Sequence, residues 1–223
     1  MEVDSRDSQI TELVRDYCNN VGADVVGFTD PTLCEQYSPY SQPENFLPGT
    51  LTIILLGLHL YDIILDAWTQ PTENGRGYQY ADQILERMCH QVENFLISKN
   101  FEAYVVPYRE LYLKDIGALG GVGPIGKNNL LLQEQYGPQV RYRALVTTAP
   151  LECGSPIFES AYCQECTLCI ENCPAAALTH GKYNVQKCER YQLAHLQKLS
   201  VHTAIWCNEC INACPVGQKK VAK

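Results

Sequence analysis

The chain has twelve cysteines, and the spacing of eight of them constrains its fold more than any other feature. These eight lie between Cys163 and Cys214, where residues 163–174 read CQECTLCIENCP and residues 207–215 read CNECINACP. The others are scattered: Cys18, Cys34, Cys89 and Cys153. Because no signal peptide is visible, so dense a block of cysteines indicates metal ligation rather than disulfide cross-links.

The first segment has the C-x2-C-x2-C-x3-C-P spacing with which bacterial ferredoxins hold [4Fe–4S] clusters. Three of its thiolates converge on one cluster, and the fourth ligates the neighbouring cluster. The second segment repeats the motif without its first cysteine, so an upstream residue must supply that ligand. Cys188 is the nearest, and Cys153 is the competing candidate. The prediction is two clusters, one held by Cys163, Cys166, Cys169 and Cys214 and the other by Cys173, Cys188, Cys207 and Cys210.

Zinc is the alternative to iron and sulfide, because closed four-cysteine zinc sites also use C-x2-C pairs. The interlocked spacing, with a proline after each last cysteine, favours iron–sulfur clusters. Such clusters exchange single electrons, and the sequence therefore predicts electron transfer into a site built by the rest of the chain.

A length of 223 residues suits one core domain with a small appended module. We predict an α+β domain over residues 1–155, in which helices and strands alternate, and an iron–sulfur module over residues 156–223. Hydrophobic periodicity and capping residues predict two helices. The first is capped by Asp4 or Ser5 and ends near Asn20. The second runs from Tyr80 to Lys99, with Asn100 as its C-cap. Strands are predicted at 24–29, 51–58, 101–106 and 142–150, and a polar loop at Gln70–Gly77.

Charge and hydropathy limit the partners. The net charge of -8 and the sequence pI near 5.1 disfavour a nucleic-acid partner, which needs a clustered basic face. The most apolar stretch, Leu51–Leu60, is shorter than the ~20 residues that a membrane-spanning helix needs. The N-terminus shows neither a secretory nor a twin-arginine signal, so the sequence predicts a cytoplasmic protein without a membrane partner.

A glycine-rich loop, GALGGVGPIGKNN, occupies residues 117–129. Its Gly121, Gly123 and Gly126 form G-x-G-x-x-G, but neither the preceding strand nor the later acidic residue of a dinucleotide site is present. A phosphate-binding P-loop is also excluded, because Asn128 stands where Ser or Thr should follow Lys127. Glycines of this kind let backbone approach a large flat ligand, beside which Lys127, Asn128 and Asn129 would be donors. A tight structural turn accounts for the same residues equally well.

The order of this loop, the strand RALVTTAPLE and the two cysteine motifs resembles the epoxyqueuosine reductases and, more distantly, the reductive dehalogenases. Both families pair a nitroreductase-like α/β domain that binds a corrinoid with a two-cluster ferredoxin-like module. The likeness runs from about Tyr78 to Gly217. It implies that base-off cobalamin lies against Gly121, Gly123, Gly126, Lys127, Asn128 and Asn129. It also favours Cys188 as the eighth ligand, because the family takes that cysteine from a C-x-x-Y segment.

The sequence departs from the family where substrate is handled. The epoxyqueuosine reductases have an acidic proton donor before the glycine loop, and the aligned position here is Pro107 in VVPYRELYLKD. The helical-repeat extension that grips tRNA is also missing. The candidates for proton donation or substrate contact are therefore the nearby polar residues Tyr108, Arg109, Tyr112 and Lys114.

The resulting prediction is an iron–sulfur oxidoreductase that reduces a bound corrinoid, receives electrons from a ferredoxin or flavodoxin, and acts on a small molecule or a corrinoid protein rather than on tRNA. The alternative is a non-catalytic electron-transfer protein that reduces the corrinoid or another centre of a partner. An ATP-using activator is disfavoured by the missing Ser or Thr after Lys127.

Overall fold

The computed structural model of the chain describes residues 6–69, 77, 79–179 and 182–218. The predicted polar loop therefore lies, except for Gly77, outside the described residues. Contacts divide the chain into two compact units, each assembled from three segments. The first contains 1–58, 84–123 and 141–158, and the second contains 59–83, 124–140 and 159–223.

The described part of the chain contains both helices and strands along its length, which confirms the predicted α+β class. The helices are α1 (Ser8–Asn20), α2 (Tyr80–Ser98), α3 (Leu113–Leu119), α4 (Leu168–Glu171), α5 (Val185–Ala194) and α6 (Glu209–Asn212). The strands are β1 (Val25–Thr29), β2 (Thr52–His59), β3 (Trp68–Thr69), β4 (Ala103–Val105), β5 (Val140–Thr147), β6 (Leu178–Thr179), β7 (Lys182–Tyr183), β8 (Gln197–Lys198) and β9 (Thr203–Ile205). Among the helices in the described part of the chain, none is both long and apolar enough to cross a membrane.

A four-stranded sheet in the order β1-β2-β5-β4 dominates the first unit. The strand β2 lies inside it, paired antiparallel with β1, and Ile53, Ile54, Leu55 and Leu56 are fully buried. A strand buried on both faces needs apolar residues at successive positions instead of alternating ones. This explains why the most hydrophobic run of the sequence forms a central strand.

The predicted helices of the first unit are confirmed, with one correction at a cap. Helix α1 ends at Asn20 as predicted, but its N-cap is Asp7, whose carboxylate accepts hydrogen bonds from the backbone N–H groups of Gln9 and Ile10. Asp4 and Ser5 lie outside the described residues. Helix α2 ends as predicted, because Asn100 takes a φ of 66° and the following Phe101 N–H donates to Leu96 O.

The strand predicted over 142–150 begins and ends earlier than expected. Strand β5 stops at Thr147, where the Thr147 hydroxyl accepts a hydrogen bond from Ala149 N–H and turns the chain. Pro150 beyond it has no N–H for a ladder, although its carbonyl accepts from Asp7 N–H. The prediction extended the strand too far because the residues up to Ala149 are largely apolar. The hydrogen bond to the Thr147 side chain is what ends the strand.

The second unit is made of short elements. Its largest sheet has the order β3-β9-β8, and β6 pairs with β7 in a separate ribbon. Trp68 stacks on Trp206 with ring centroids 4.8 Å apart. The backbones of Gly137 and Gly217 meet so closely that a Cβ on Gly137 would overlap the Val216 carbonyl oxygen. This contact fixes the segment that follows Cys214.

Candidate iron–sulfur site

Four of the predicted ligands line one small cavity in the second unit: Cys163, Cys166, Cys169 and Cys214. They are the set that the motif spacing assigned to a single cluster. A short turn at Ala161–Cys163 supplies Cys163, helix α4 supplies Cys169, and Cys166 lies on the segment between them. Cys214 follows α6. Helices α4 and α6 pack against each other, which brings the two motifs together. Burial, followed by the charges of Cys163 and its two partners in this cavity, raises the pKa of Cys169.

The other four predicted ligands are also neighbours. The pKa of Cys210 is raised to about 12, chiefly by burial and then by the charges of Cys188, Cys207 and Cys173. Burial raises the pKa of Cys207, and the charges of Glu209, Cys188 and Cys173 add to the increase. The charge of Cys169 contributes to the shift at Cys210, so the two sets of thiols lie side by side.

Hydrogen-bond donors surround the sulfurs of this second set. The Ala177 N–H donates to Cys173 Sγ over 3.3 Å, and Gln192 Nε2 donates to Cys188 Sγ over 3.2 Å. Tyr183 is also hydrogen-bonded to Cys188. Donors to thiolate sulfur stabilise its negative charge and help to set the potential of an iron–sulfur cluster. The chemistry of the site therefore fits such a group.

Throughout the described ranges, no three His, Cys, Asp or Glu side chains are arranged to hold a single metal ion. The choice between an iron–sulfur cluster and zinc therefore rests on the spacing of the cysteine motifs.

Cys153, the competing candidate for the eighth ligand, has different surroundings. It belongs to the first unit, where its thiol donates to Leu151 O over 3.5 Å. Burial raises its pKa, and the charges that act on it are those of Arg6 and Asp30. The remaining cysteines, Cys18, Cys34 and Cys89, are buried core residues.

The glycine-rich loop contacts the chain's own atoms. Gly121 has a φ of +73°, and a Cβ there would lie 2.8 Å from Ser155 O. A Cβ on Gly126 would lie 2.7 Å from Leu132 Cδ1. Gly123 is buried. Glycine at 121 and 126 is therefore explained without a ligand, by a backbone contact at Gly121 and by side-chain contacts at Gly126.

Two polar residues after these glycines, Lys127 and Asn128, contact the region of the first cysteine set. Lys127 Nζ donates to the backbone carbonyls of Gln164 and Cys166, each over 3.0 Å. Asn128 is buried, and its Oδ1 accepts from Leu130 N–H. Both residues line the cavity of the first cysteine set. Asn129 takes a φ of 59°, as asparagine can at a tight turn.

The predicted catalytic residues fall into two groups within the first unit. The Tyr108 ring faces the guanidinium of Arg109 at 5.5 Å and that of buried Arg143 at 5.9 Å. Tyr112 instead stacks on Tyr37, with ring centroids 5.1 Å apart. Arg109 is exposed and has a φ of 75°.

Tyr37 and Asp115 lie beside Tyr112, and the sequence alone did not single them out. Tyr37 is hydrogen-bonded to Asp115, and its pKa is raised to about 12 by burial and then by the charges of Asp115 and Cys34. Tyr37 therefore keeps its proton at neutral pH. Burial lowers the pKa of Lys114, against the opposing effect of Asp115. No motif connects residues 34–37 with 112–115, and only the fold brings them together.

Comparison with known proteins supports the resemblance. No family model matches the chain. The chain is 24% identical to the epoxyqueuosine reductase of Bacillus subtilis (strain 168), in an alignment that covers 95% of this chain and 64% of that protein. It spans about half of several other curated epoxyqueuosine reductases that it matches.

Solved structures share the fold. An epoxyqueuosine reductase crystallised with an epoxyqueuosine-modified tRNA stem loop has a TM-score of 0.71 at 21% identity, over 95% of this chain and 66% of its own. A reductive dehalogenase whose structure suggests a mechanism for B12-dependent dehalogenation has a TM-score of 0.70 at 15% identity, over 98% of this chain and 33% of its own. The fold is thus common to both families named by the sequence motifs.

Proposed function

We propose that the protein is an iron–sulfur oxidoreductase whose two [4Fe–4S] clusters relay single electrons to an acceptor. The proposal rests above all on the cavity lined by Cys163, Cys166, Cys169 and Cys214, which are drawn from two motifs far apart in sequence. Cys173, Cys188, Cys207 and Cys210 would hold the second cluster. When bound, the clusters supply one-electron transfer at low potential.

The chain's contribution is to hold and shield the clusters. Packing of α4 against α6 sets the separation of the ligand sets, and the donors to Cys173 and Cys188 stabilise thiolate charge. Lys127 fixes the loop around Cys166. Thiols must lose their protons to bind iron, so loading should release protons and become weaker as the pH falls.

Metal analysis tests the proposal directly. Anaerobically prepared protein should contain about eight iron and about eight acid-labile sulfide per chain. Zinc without sulfide would refute it. The ligand assignment is tested by Cys188→Ser, which should remove about half of the iron, with Cys153→Ser as the matched control that keeps all of it. The opposite pattern would assign the site to Cys153.

The proposed acceptor is a corrinoid, because the families that share this fold and motif order include a B12-dependent dehalogenase. Among the described residues, the glycine-rich loop shows no cradle specific to a corrin, since Gly121 and Gly126 pack against the chain itself. Adding cob(II)alamin to reduced protein without oxygen should produce the spectrum of base-off cobalt and then of Co(I). No spectral change at micromolar protein would leave electron transfer to a partner as the function.

The proposed substrate is a small molecule or a corrinoid protein rather than tRNA. The net charge of -8 supports this, and tRNA is the alternative to test, because a structural neighbour was crystallised with a tRNA stem loop. Filter binding with an epoxyqueuosine-modified stem loop is the test. Micromolar binding that is displaced by salt would overturn the small-molecule proposal without affecting the clusters.

A further inference from the structure

An open depression of about 420 Å³ lies on the second unit, between the β6–β7 ribbon and the start of α5. Its walls include Ala177, Tyr183 and the exposed ammonium side chains of Lys182 and Lys187. Exposed Arg190 lies one turn along α5 from Lys187, on the same helix face. We call Lys182, Lys187 and Arg190 the basic patch.

The basic patch contrasts with the charge of the whole chain. It places three cations within nine residues, with Glu189 as the only carboxylate between 182 and 190, in a chain of net charge -8. A local reversal of sign steers oppositely charged partners to one face, and it does so most strongly at low salt. The patch therefore selects an acidic partner.

The walls of the depression reach two thiols of the second set. The Ala177 N–H donates to Cys173 Sγ over 3.3 Å, and exposed Tyr183 is hydrogen-bonded to Cys188. Only one layer of protein thus separates the bottom of the depression from these sulfurs. All four cysteines of the second set are partly exposed, whereas the first set has two partly exposed cysteines and two buried ones, Cys169 and Cys214.

We propose that the basic patch and its depression are the docking site of an acidic one-electron carrier protein, which delivers electrons to the cluster of Cys173, Cys188, Cys207 and Cys210. The inference rests on the proposed function, because it needs that cluster as the acceptor. An RNA would also be attracted by cations. A site whose walls are hydrogen-bonded to two cluster ligands, however, is placed for electron entry, which RNA cannot use.

The test uses protein with both clusters loaded and follows their reduction by a reduced acidic ferredoxin in a stopped-flow instrument. The double variant Lys182→Glu/Lys187→Glu reverses the patch. Its matched control is Arg87→Glu/Lys99→Glu, which makes the same charge change at exposed Arg87 of α2 and at exposed Lys99, directly after that helix. At low ionic strength the patch variant should react ~10–100-fold more slowly than the control, and the difference should disappear at high salt. Reduction by dithionite should be equal in the two variants.

Three results would overturn the docking site. The first is equal rates of the two variants with ferredoxin at every salt concentration, and the second is no reduction of the loaded wild-type protein by ferredoxin. The third is loss of binding to a tRNA stem loop in the patch variant while its rate of reduction by ferredoxin is unchanged. Failure of the proposed function is a separate outcome, since iron and sulfide would then be missing from the wild-type protein before any carrier is added.

Discussion

The two units of the chain are stabilised by different means. The first has the 13-residue helix α1, most of the 19-residue helix α2, and a sheet whose central strand is fully buried at four successive positions. In the second, α4 and α6 have only four residues each, and β3, β6, β7 and β8 only two. Helices and strands so short are not stable alone. The first unit can fold by burial of apolar surface, whereas the second needs covalent or metal cross-links, and its cysteines are the candidates.

Removal of the clusters should have the largest effect of all, because it should destabilise the second unit and leave the first unit folded. Anaerobic chelation of iron should raise amide exchange rates in α4, α6 and β9 on the order of a thousandfold, because metal binding energy is folding energy in small metal-bound domains. Exchange in β2 and β5 should change little. Hydrogen exchange followed by mass spectrometry measures both. Equal deprotection of both units would show that they unfold together.

Addition of a methyl group at Gly137 should have the next largest effect on stability. Gly137→Ala places a Cβ against the Val216 backbone at a φ of +58°, so we expect a loss of ~2–4 kcal/mol and easier release of the cluster held by Cys214. Gly49→Ala is the matched control, since Gly49 has a φ of +76° but open space around it, and should cost about 1 kcal/mol. Denaturant unfolding followed by cluster absorbance gives both values, and equal costs would contradict the close backbone contact.

Lys127 should act on one cluster only. Replacement by Met removes a cation that binds the backbone beside Cys166, so the potential of the cluster held by that residue should fall by tens of millivolts, on the order of 1 kcal/mol. Lys127→Arg, which keeps the charge, should restore most of it. Redox titration followed by EPR separates the two clusters. A shift of equal size in both would contradict the local role of Lys127.

The smallest expected effect concerns the pH dependence of the first unit. Burial raises the pKa of Asp30, but hydrogen bonds from Thr32 and the nearby Arg6 guanidinium outweigh it and lower the pKa below its ordinary value. The stabilisation is therefore present above an aspartate's usual pKa of ~3.9 and is lost as the pH falls through the lower folded value.

Arg6→Met should reduce this acid sensitivity by less than about 1 kcal/mol, because the Arg6–Asp30 pair is partly exposed. Arg87→Met, at an exposed position of α2, is the control. The measurement is the difference in unfolding free energy between pH 6 and pH 3. If this difference is unchanged in Arg6→Met, hydrogen bonds from Thr32 alone lower the pKa of the Asp30 carboxyl.

The sequence predicted those parts of the molecule that depend on local pattern. Helix α2 follows from hydrophobic periodicity, the central strand β2 from a continuous apolar run, and the α+β class from the mixture of predicted helices and strands; the structure confirms all three. The grouping of cysteines was predicted from spacing, and the structure brings each predicted set together, while their role as ligands stays a prediction. The N-cap at Asp7 and the end of β5 at Thr147 were missed, because side-chain hydrogen bonds and not hydrophobicity decide them.

Contacts between distant segments could not be predicted. The Tyr37–Asp115 hydrogen bond and the Lys127 bonds to residues 164 and 166 join parts of the chain that share no motif. The sequence suggested Lys127 as a donor to a ligand, since a lysine after glycines commonly serves that purpose. Its actual position beside a cysteine loop depends on how the segments of the second unit, which are far apart in sequence, pack together.

The central strand β2 also has a consequence for how the chain reaches this state. Its neighbours in the sheet are β1, which precedes it closely, and β5, which is synthesised more than eighty residues later. Until β5 arrives, one edge of a nearly continuous apolar strand has no partner, and such edges pair with other chains. Pairing over so long a separation is also slow. Yield on expression should therefore depend on temperature and chaperone supply even when iron and sulfide are abundant.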